Sequence, residues 1–306
     1  MLKQWRMPFI LLATALLGVL ISACGGGSTG SNGGSSTPTT LGTPGAYNCV
    51  QGHITASGST ALAPLIKQVA QDYSTKCSGA SITVNLGGSG TGLSQAESGA
   101  VQIGNSDIFH KSNQQDLVDH QVAVVVFAVI VSQDVGVKNL TATQLKGIYS
   151  GQITNWSQVG GPDEAITVVS RPTSSGTRAT FQNYVLGGPE SISGPSNLTT
   201  DSTSTVIQNV AQNKGAIGYA ATGPVQKAGS VDIISIDGVS TDAANVENNT
   251  YKFWGFEHMY TKGKATGLAQ ALIDYMSSDQ GKQEAQKLGF LPTTAIPSSS
   301  AQAHQK

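Results

Sequence analysis

Hydrophobic positions along this chain recur with two periods, and the switches between them divide much of its length into strand, loop and helix units. Ile54-Thr55-Ala56 reads as a short strand. Leu62, Leu65, Ile66, Val69 and Tyr73 then recur at helical spacing, with Pro64 in the first turn, where proline is tolerated, and Ser59 or Thr60 as the N-cap. The unit repeats: Ile82, Val84 and Leu86 alternate as a strand, a glycine-rich run from Gly87 to Gly92 follows, and a short helix passes through Leu93 and Ala96. Val101 and Ile103 lie on a third strand that leads to Gly104-Asn105-Ser106-Asp107. From Val122 to Val131 the chain is continuously apolar, too short to span a bilayer and suited to a strand buried on both faces. Later, Ile166-Thr167-Val168-Val169 precedes a helical pattern at Phe181, Tyr184 and Val185.

Each of these strands ends in glycines or small hydroxyl residues. In open α/β sheets the crevice beyond the carboxyl ends of the strands is where ligands bind, and helix N-termini there attract anions. The fourth such loop, Arg171 to Arg178, holds the two arginines that remain once the first 23 residues are set aside. A guanidinium is a planar fork that grips an oxyanion through two parallel hydrogen bonds, which a lysine cannot do. Ser175, Gly176 and Thr177 sit where the following helix begins, with its unpaired N–H groups. The glycines form neither a P-loop, since no Gly-Lys-Ser/Thr follows, nor a dinucleotide fingerprint, since Gly88-x-Gly90-x-Gly92 has the wrong spacing.

Composition narrows the classes. Charged residues make up 11% of the 306, and the formal net charge is −1, so no basic stripe suited to nucleic acid is present. The N-terminus has a cationic start (Lys3, Arg6), an apolar stretch from Phe9 to Ile21 and then Ser22-Ala23-Cys24, the order of a secretory signal peptide. Leu20 to Cys24 also resembles a bacterial lipobox, which makes residues 1–23 a lipoprotein signal peptide and Cys24 the lipidated first residue of the mature chain. Residues 24–48 are almost entirely Gly, Ser, Thr, Pro and Asn and read as a flexible tether. About 260 residues are left to fold, enough for one large domain or two lobes. Outside the cytoplasm the isolated pair Cys49 and Cys77 is expected to form a disulfide. Neither cysteines nor the histidines His53, His110, His120, His258 and His304 show metal-ligand spacing, and no cofactor is expected.

The ordered motifs from about Gly52 to Pro292 resemble those of the phosphate-binding lipoproteins that serve the high-affinity phosphate ABC transporter. They are Gly58-Ser59-Thr60-x-x-x-Pro64, Gly88-Ser89-Gly90, Ile103-Gly104-x-Ser106-Asp107, the run from Leu140-Thr141 through Gln144-Leu145 to Ile153-Thr154-x-Trp156, Arg171-x-x-x-Ser175-Gly176-Thr177 and Gly215-Ala216-Ile217-Gly218-Tyr219. The resemblance implies a two-lobe periplasmic-binding-protein-like fold of type II, each lobe a mixed sheet flanked by helices, joined by two crossover strands. Lobe 1 would be residues 49–127 and 254–306, and lobe 2 residues 128–253. It implies that Ser59, Thr60, the Ala61 amide and Ser89 hold inorganic phosphate from one lobe, that Asp107 accepts the ligand's own proton, and that Arg171, Ser175, Gly176 and Thr177 close from the other. It further implies a monomer anchored by lipid on the extracytoplasmic face of the cell membrane, delivering phosphate to permease and ATPase subunits. One departure concerns position 173, where relatives often carry an acidic residue that orients the arginine and this chain has Thr173.

Three other readings stay open at this level. The same fold could take sulfate, molybdate or another oxyanion, or act as a surface sensor or adhesin. An enzyme of phosphatase type would need a hydrolytic constellation, and no Gly-x-Ser-x-Gly elbow is present.

Overall fold

The computed structural model describes residues 48–192 and 197–305. The signal peptide, Cys24 and the tether up to residue 47 lie outside the described residues. Residues 48–305 belong to one compact unit, and among them no helix is long and apolar enough to cross a membrane.

The predicted strand and helix units are present in the predicted order. Strands β1 (Gly52–Gly58), β2 (Ala80–Leu86) and β3 (Ile103–Ser106) lie parallel, with α1 (Ala63–Lys76) and α2 (Ser89–Ser98) as the crossovers. The apolar run falls in β4 (Leu117–Val131), and every residue from Val122 to Val131 is buried. After β5 (Asn139–Leu140) and α3 (Ala142–Tyr149) come β6 (Thr167–Ser170), α4 (Gly176–Phe181), β7 (Leu198–Thr199), α5 (Thr203–Gln212), β8 (Ala216–Ala221), α6 (Thr222–Ala228), β9 (Asp232–Ile236) and α7 (Ala243–Glu247). The chain ends with β10 (Trp254–Lys262), α8 (Gly267–Ser277), α9 (Asp279–Lys287) and α10 (Ser298–Ala303).

The strands form one mixed sheet in the order β2-β1-β3-β10-β4-β8-β6-β7, with β9 also pairing β4 and β5. One strand serves both halves of that sheet. Leu117 to Val126 of β4 pair antiparallel with β10, and from Phe127 to Val131 the partner is β8, so the change falls between Val126 and Phe127. The carboxyl ends of β1, β2 and β3 in one half and of β6 in the other carry the four loops singled out above.

Two details differ from the sequence pattern. Helix α1 begins at Ala63 with Leu62 at its cap, not at Ser59 or Thr60. Ser59 Oγ accepts the amides of Ala61 and Leu62 at 3.1 and 3.0 Å, so it closes a tight turn that delays the helix. Leu86, expected on the inner face of β2, is 47% exposed, because β2 is the edge of the sheet and Leu86 its last residue.

Several residues that carry the family resemblance build local structure. Thr141 and Gln144 form a capping box at the start of α3. Trp156 is fully buried and its indole N–H donates to the Gly215 carbonyl at 2.9 Å, tying two distant motifs together. Phe181, at the end of α4, stacks on Tyr219 with ring centroids 4.5 Å apart and meets Tyr149 edge-on at 4.8 Å. This aromatic cluster fixes α4 against the sheet, and hence the loop before it.

The expected disulfide joins Cys49 to Cys77 across a sequence separation of 28 residues, stapling the start of the fold to the end of α1. A loop of this length contributes about 3 kcal/mol in the chain-entropy model. Replacing both cysteines by serine is therefore expected to lower the melting temperature by roughly 5–10 °C, read by circular dichroism.

Candidate functional site

The loops leaving β1, β2, β3 and β6 carry two buried groups of hydrogen-bonded side chains, one around Asp107 and one around Arg171, which meet at the consecutive residues Ser59 and Thr60. Ser59, directly after β1, donates its hydroxyl to Asp107 Oδ1 while its oxygen holds the Ala61 and Leu62 amides. Ser89, opening α2, accepts the Asp107 amide at 2.9 Å. Asp107 Oδ2 accepts the Thr177 hydroxyl at 3.0 Å, which links β3 to α4 across the two halves of the sheet. Thr60 Oγ1 accepts Arg171 Nη2 at 3.0 Å and the Thr203 amide at 3.2 Å. Of the nine residues the sequence assigns to a site, Ser59, Thr60, Ser89, Asp107, Arg171 and Thr177 thus each take part in these side-chain hydrogen bonds. Ser175 caps α4 by accepting the Arg178 amide at 3.2 Å, Gly176 packs on Ser89, and the Ala61 amide is engaged by Ser59.

Arg171 is the centre of the electrostatics. It is 1% exposed. Its Nε donates to the Thr200 carbonyl and its Nη2 to the Asp201 carbonyl, both at 3.1 Å, while Nη1 has no hydrogen-bond partner among the described residues. Burial pulls its pKa below the ordinary value and the charge of Asp107 opposes that shift. The orientation of Arg171 comes from two backbone carbonyls in the segment before α5, while position 173 is a threonine.

Sequence reasoning missed that segment. Thr200 and Asp201 precede, and Thr203 opens, an amphipathic helix whose N-cap, Ser202, accepts the Thr205 amide at 3.2 Å. The hydroxyl-rich run Thr199 to Thr205 was the available signal. Arg178 is also engaged, since Nη1 donates to the Arg171 carbonyl at 2.6 Å and Nε stands 3.4 Å from Glu190 Oε2. Glu190 is buried, accepts the hydroxyls of Ser170 and, at 2.7 Å, Tyr219, and is raised from the usual carboxylate range by desolvation. Arg178 therefore braces the backbone from which Arg171 reaches the site.

The arrangement offers one cation, several hydroxyls, helix-terminal N–H groups and one carboxylate that accepts. These suit a small oxyanion carrying a proton. The histidines have partners of their own: His110 Nδ1 lies 2.9 Å from the Lys111 carbonyl, His258 pairs with Asp119 at 2.8 Å, and His304 Nε2 lies 3.1 Å from Asn249 Oδ1. Among the described residues no cluster of His, Cys, Asp and Glu could hold a metal ion.

Residues 38–280 match the PBP superfamily domain. The chain is 42% identical over 298 residues to the phosphate-binding protein PstS of Bacillus subtilis, covering 96% of both. It belongs to this family of PBP-superfamily phosphate-binding proteins. A relative from Staphylococcus aureus, also named PstS, is 26% identical over 312 residues, covering 95% of this chain and 88% of its own. Among solved structures, a Clostridium perfringens chain described as a phosphate ABC transporter substrate-binding protein, with bound phosphate, aligns with a TM-score of 0.74 at 31% identity, covering 79% of this chain and all of its own. An ABC-type phosphate transport receptor from Vibrio cholerae aligns with a TM-score of 0.64 at 30% identity, covering 78% of this chain and 99% of its own. The PstS family consists of binding proteins, so the phosphatase alternative falls away.

Contact between the two halves is close at Gly176. A Cβ there would lie 2.3 Å from Ser89 Oγ and 2.9 Å from Asp107 Cβ, so any side chain must push the halves apart. The Gly90 amide donates to the Ser174 carbonyl at 2.9 Å and the Thr203 amide to Thr60 at 3.2 Å across the same cleft. Gly176→Ala is expected to accelerate hydrogen exchange at the Gly90 and Thr203 amides, with protection in α1 and α8 unchanged. Unchanged exchange at both cleft amides would show that the contact does not hold the halves together.

Proposed function

We propose that this chain is the substrate-binding protein of a phosphate ABC transporter, which captures inorganic phosphate between two lobes and delivers it to a membrane permease. Lobe 1 comprises residues 49–127 and 254–306, lobe 2 residues 128–253, and β4 and β10 are the crossovers. The change of partner along β4 between Val126 and Phe127 supports that division.

The observation that carries the ligand assignment is a buried guanidinium with Nη1 unpaired, bonded to the Thr60 hydroxyl, where the next residue back, Ser59, is bonded with Thr177 to a buried carboxylate. Arg171 supplies the charge and, at Nη1, an unpaired donor. Gly176 and Thr177 add first-turn amides at the positive end of α4, which Ser175 caps through its hydroxyl while its own amide donates to the Pro172 carbonyl at 3.0 Å. Ser59, Thr60, Ser89 and Thr177 have hydroxyls that rotate toward whichever oxygen needs a proton, and the Ala61 amide stands beside them. Asp107 can only accept while ionised, so it favours an anion that brings a proton. Phosphate near neutral pH does so and sulfate does not, which leaves sulfate facing bare repulsion from a desolvated carboxylate.

The anchor lies upstream of the clamp. Cleavage before Cys24 and its lipidation would hold the protein on the extracytoplasmic face of the cell membrane, with residues 24–48 giving the clamp reach to its permease and ATPase partners. A monomer suffices, because both sides of the proposed site come from one chain.

Isothermal titration of the purified chain with phosphate, sulfate and molybdate tests the assignment, with phosphate expected to bind and sulfate to be refused. Asp107→Asn replaces an obligate acceptor with a group that also donates, and should narrow the phosphate-to-sulfate preference by about tenfold or more, a change of about 1.4 kcal/mol. An unchanged preference would remove this role from Asp107.

A further inference from the structure

Asp107 is not the only carboxyl group buried at this point of the sheet. Glu257 lies on β10 and is fully buried, and among the described residues no N–H or hydroxyl donates to either of its carboxyl oxygens. Its place follows from the strand register. His258 pairs with Ser106 and Met259 with Asn105, so Glu257 stands one step further along, where Asp107 leaves the end of β3. On its other side it pairs with Ala123 of β4, and the β10–β4 register shifts between Glu257 and His258. Such bulges re-aim a side chain and are enriched beside functional sites.

An ionised carboxylate so placed would be desolvated with nothing to compensate it. Burial raises the Glu257 carboxyl well above its ordinary range, and Asp107 raises it further, both through its charge and through a hydrogen bond that only the protonated acid can donate. The other ionisable groups on the strands and helix packed against β10 are committed elsewhere. Asp119 of β4 pairs with His258, His120 meets Thr261 at 3.2 Å, and Glu97 of α2 accepts from Gln114 at 2.9 Å.

We propose that Glu257 is a positioning residue for phosphate recognition: it donates one hydrogen bond to Asp107, which holds the Asp107 carboxylate turned toward the ligand's proton. The inference rests on the phosphate reading and deepens it. Two carboxyl groups side by side cannot both ionise in a buried site, and sharing one proton gives them different roles. Without the donor, the Asp107 carboxylate would lose the contact that turns it toward the ligand's proton, and with it the means of refusing sulfate. The pH sign follows from the direction of that shift: Glu257 holds its proton to higher pH than an ordinary carboxyl, and losing it on the alkaline side places a second negative charge beside the bound anion and weakens binding.

The test is titration of the wild-type chain, Glu257→Gln and Glu257→Leu with inorganic phosphate and sulfate between about pH 6 and pH 9, with circular dichroism as the check on folding. Glutamine keeps a donor that cannot ionise, so Glu257→Gln is expected to hold the phosphate-to-sulfate preference within about threefold at neutral pH and to lose less affinity than wild type on the alkaline side. Leucine fills the space without a donor, so Glu257→Leu is expected to reduce that preference by about tenfold or more. A folded leucine variant with wild-type preference and pH profile overturns the proposal. If leucine is not tolerated, the glutamine variant decides, and an alkaline loss equal to that of wild type overturns it. A wild-type chain that binds no phosphate overturns the phosphate reading and this inference together, whereas a binding wild type with indifferent variants overturns this inference alone.

Discussion

Arg171 carries a full positive charge at a position almost closed to water, and a buried charge is tolerated only where dipoles or an opposite charge meet it. The carbonyls of Thr200 and Asp201 take part of that demand, and Thr60 takes another. No ion pair to Arg171 exists among the described residues, and Nη1 is left over. Much of the surrounding structure serves that unfinished balance. Arg178 and Glu190 brace the backbone of Arg171, the aromatic cluster around Phe181 holds α4, and the network that includes Asp107 brings the opposite half of the sheet against it. On the proposed function, an anion between the halves completes the balance, which would give ligand binding a direct hold on how the halves meet.

The remaining lining of the site is almost neutral. Hydroxyls and helix-terminal amides dominate it, and they can orient toward an oxyanion without adding net charge. On the proposed function, discrimination falls to one carboxylate, because donors are satisfied by any tetrahedral oxyanion and an acceptor is not. A single acceptor can do this only if its oxygens stay turned to the ligand, which would make the carboxyl group beside it as consequential as the groups that touch the ligand.

How much was legible in the sequence depended on how each residue acts. Loops at strand ends were visible because the hydrophobic period switches there, and Arg171 stood out because arginine is so scarce. The local role of Ser59 was half legible: its hydroxyl belongs to the site, but its use as a turn acceptor shifts the helix start to Ala63. Thr200 and Asp201 were not legible because they act through backbone carbonyls, which no side-chain pattern marks. Glu190 and Glu257 reach their partners through topology, the second from a strand paired beside β3 yet far from it in sequence. The disulfide followed from cysteine count and compartment alone, since no other cysteine competes in the folded part.

The central claim is that an anion completes the charge of Arg171, and the most direct measurement is the phosphate dependence of the melting temperature in wild type and Arg171→Met. A ligand that binds the folded state at about 100 times its dissociation constant stabilises by about 2.7 kcal/mol. For a chain of this size that corresponds to a rise of roughly 5–10 °C in wild type. With methionine in place of the guanidinium, the account predicts that phosphate no longer raises the melting temperature, while the variant without phosphate remains folded. A variant whose melting temperature rises with phosphate as much as that of wild type would contradict it.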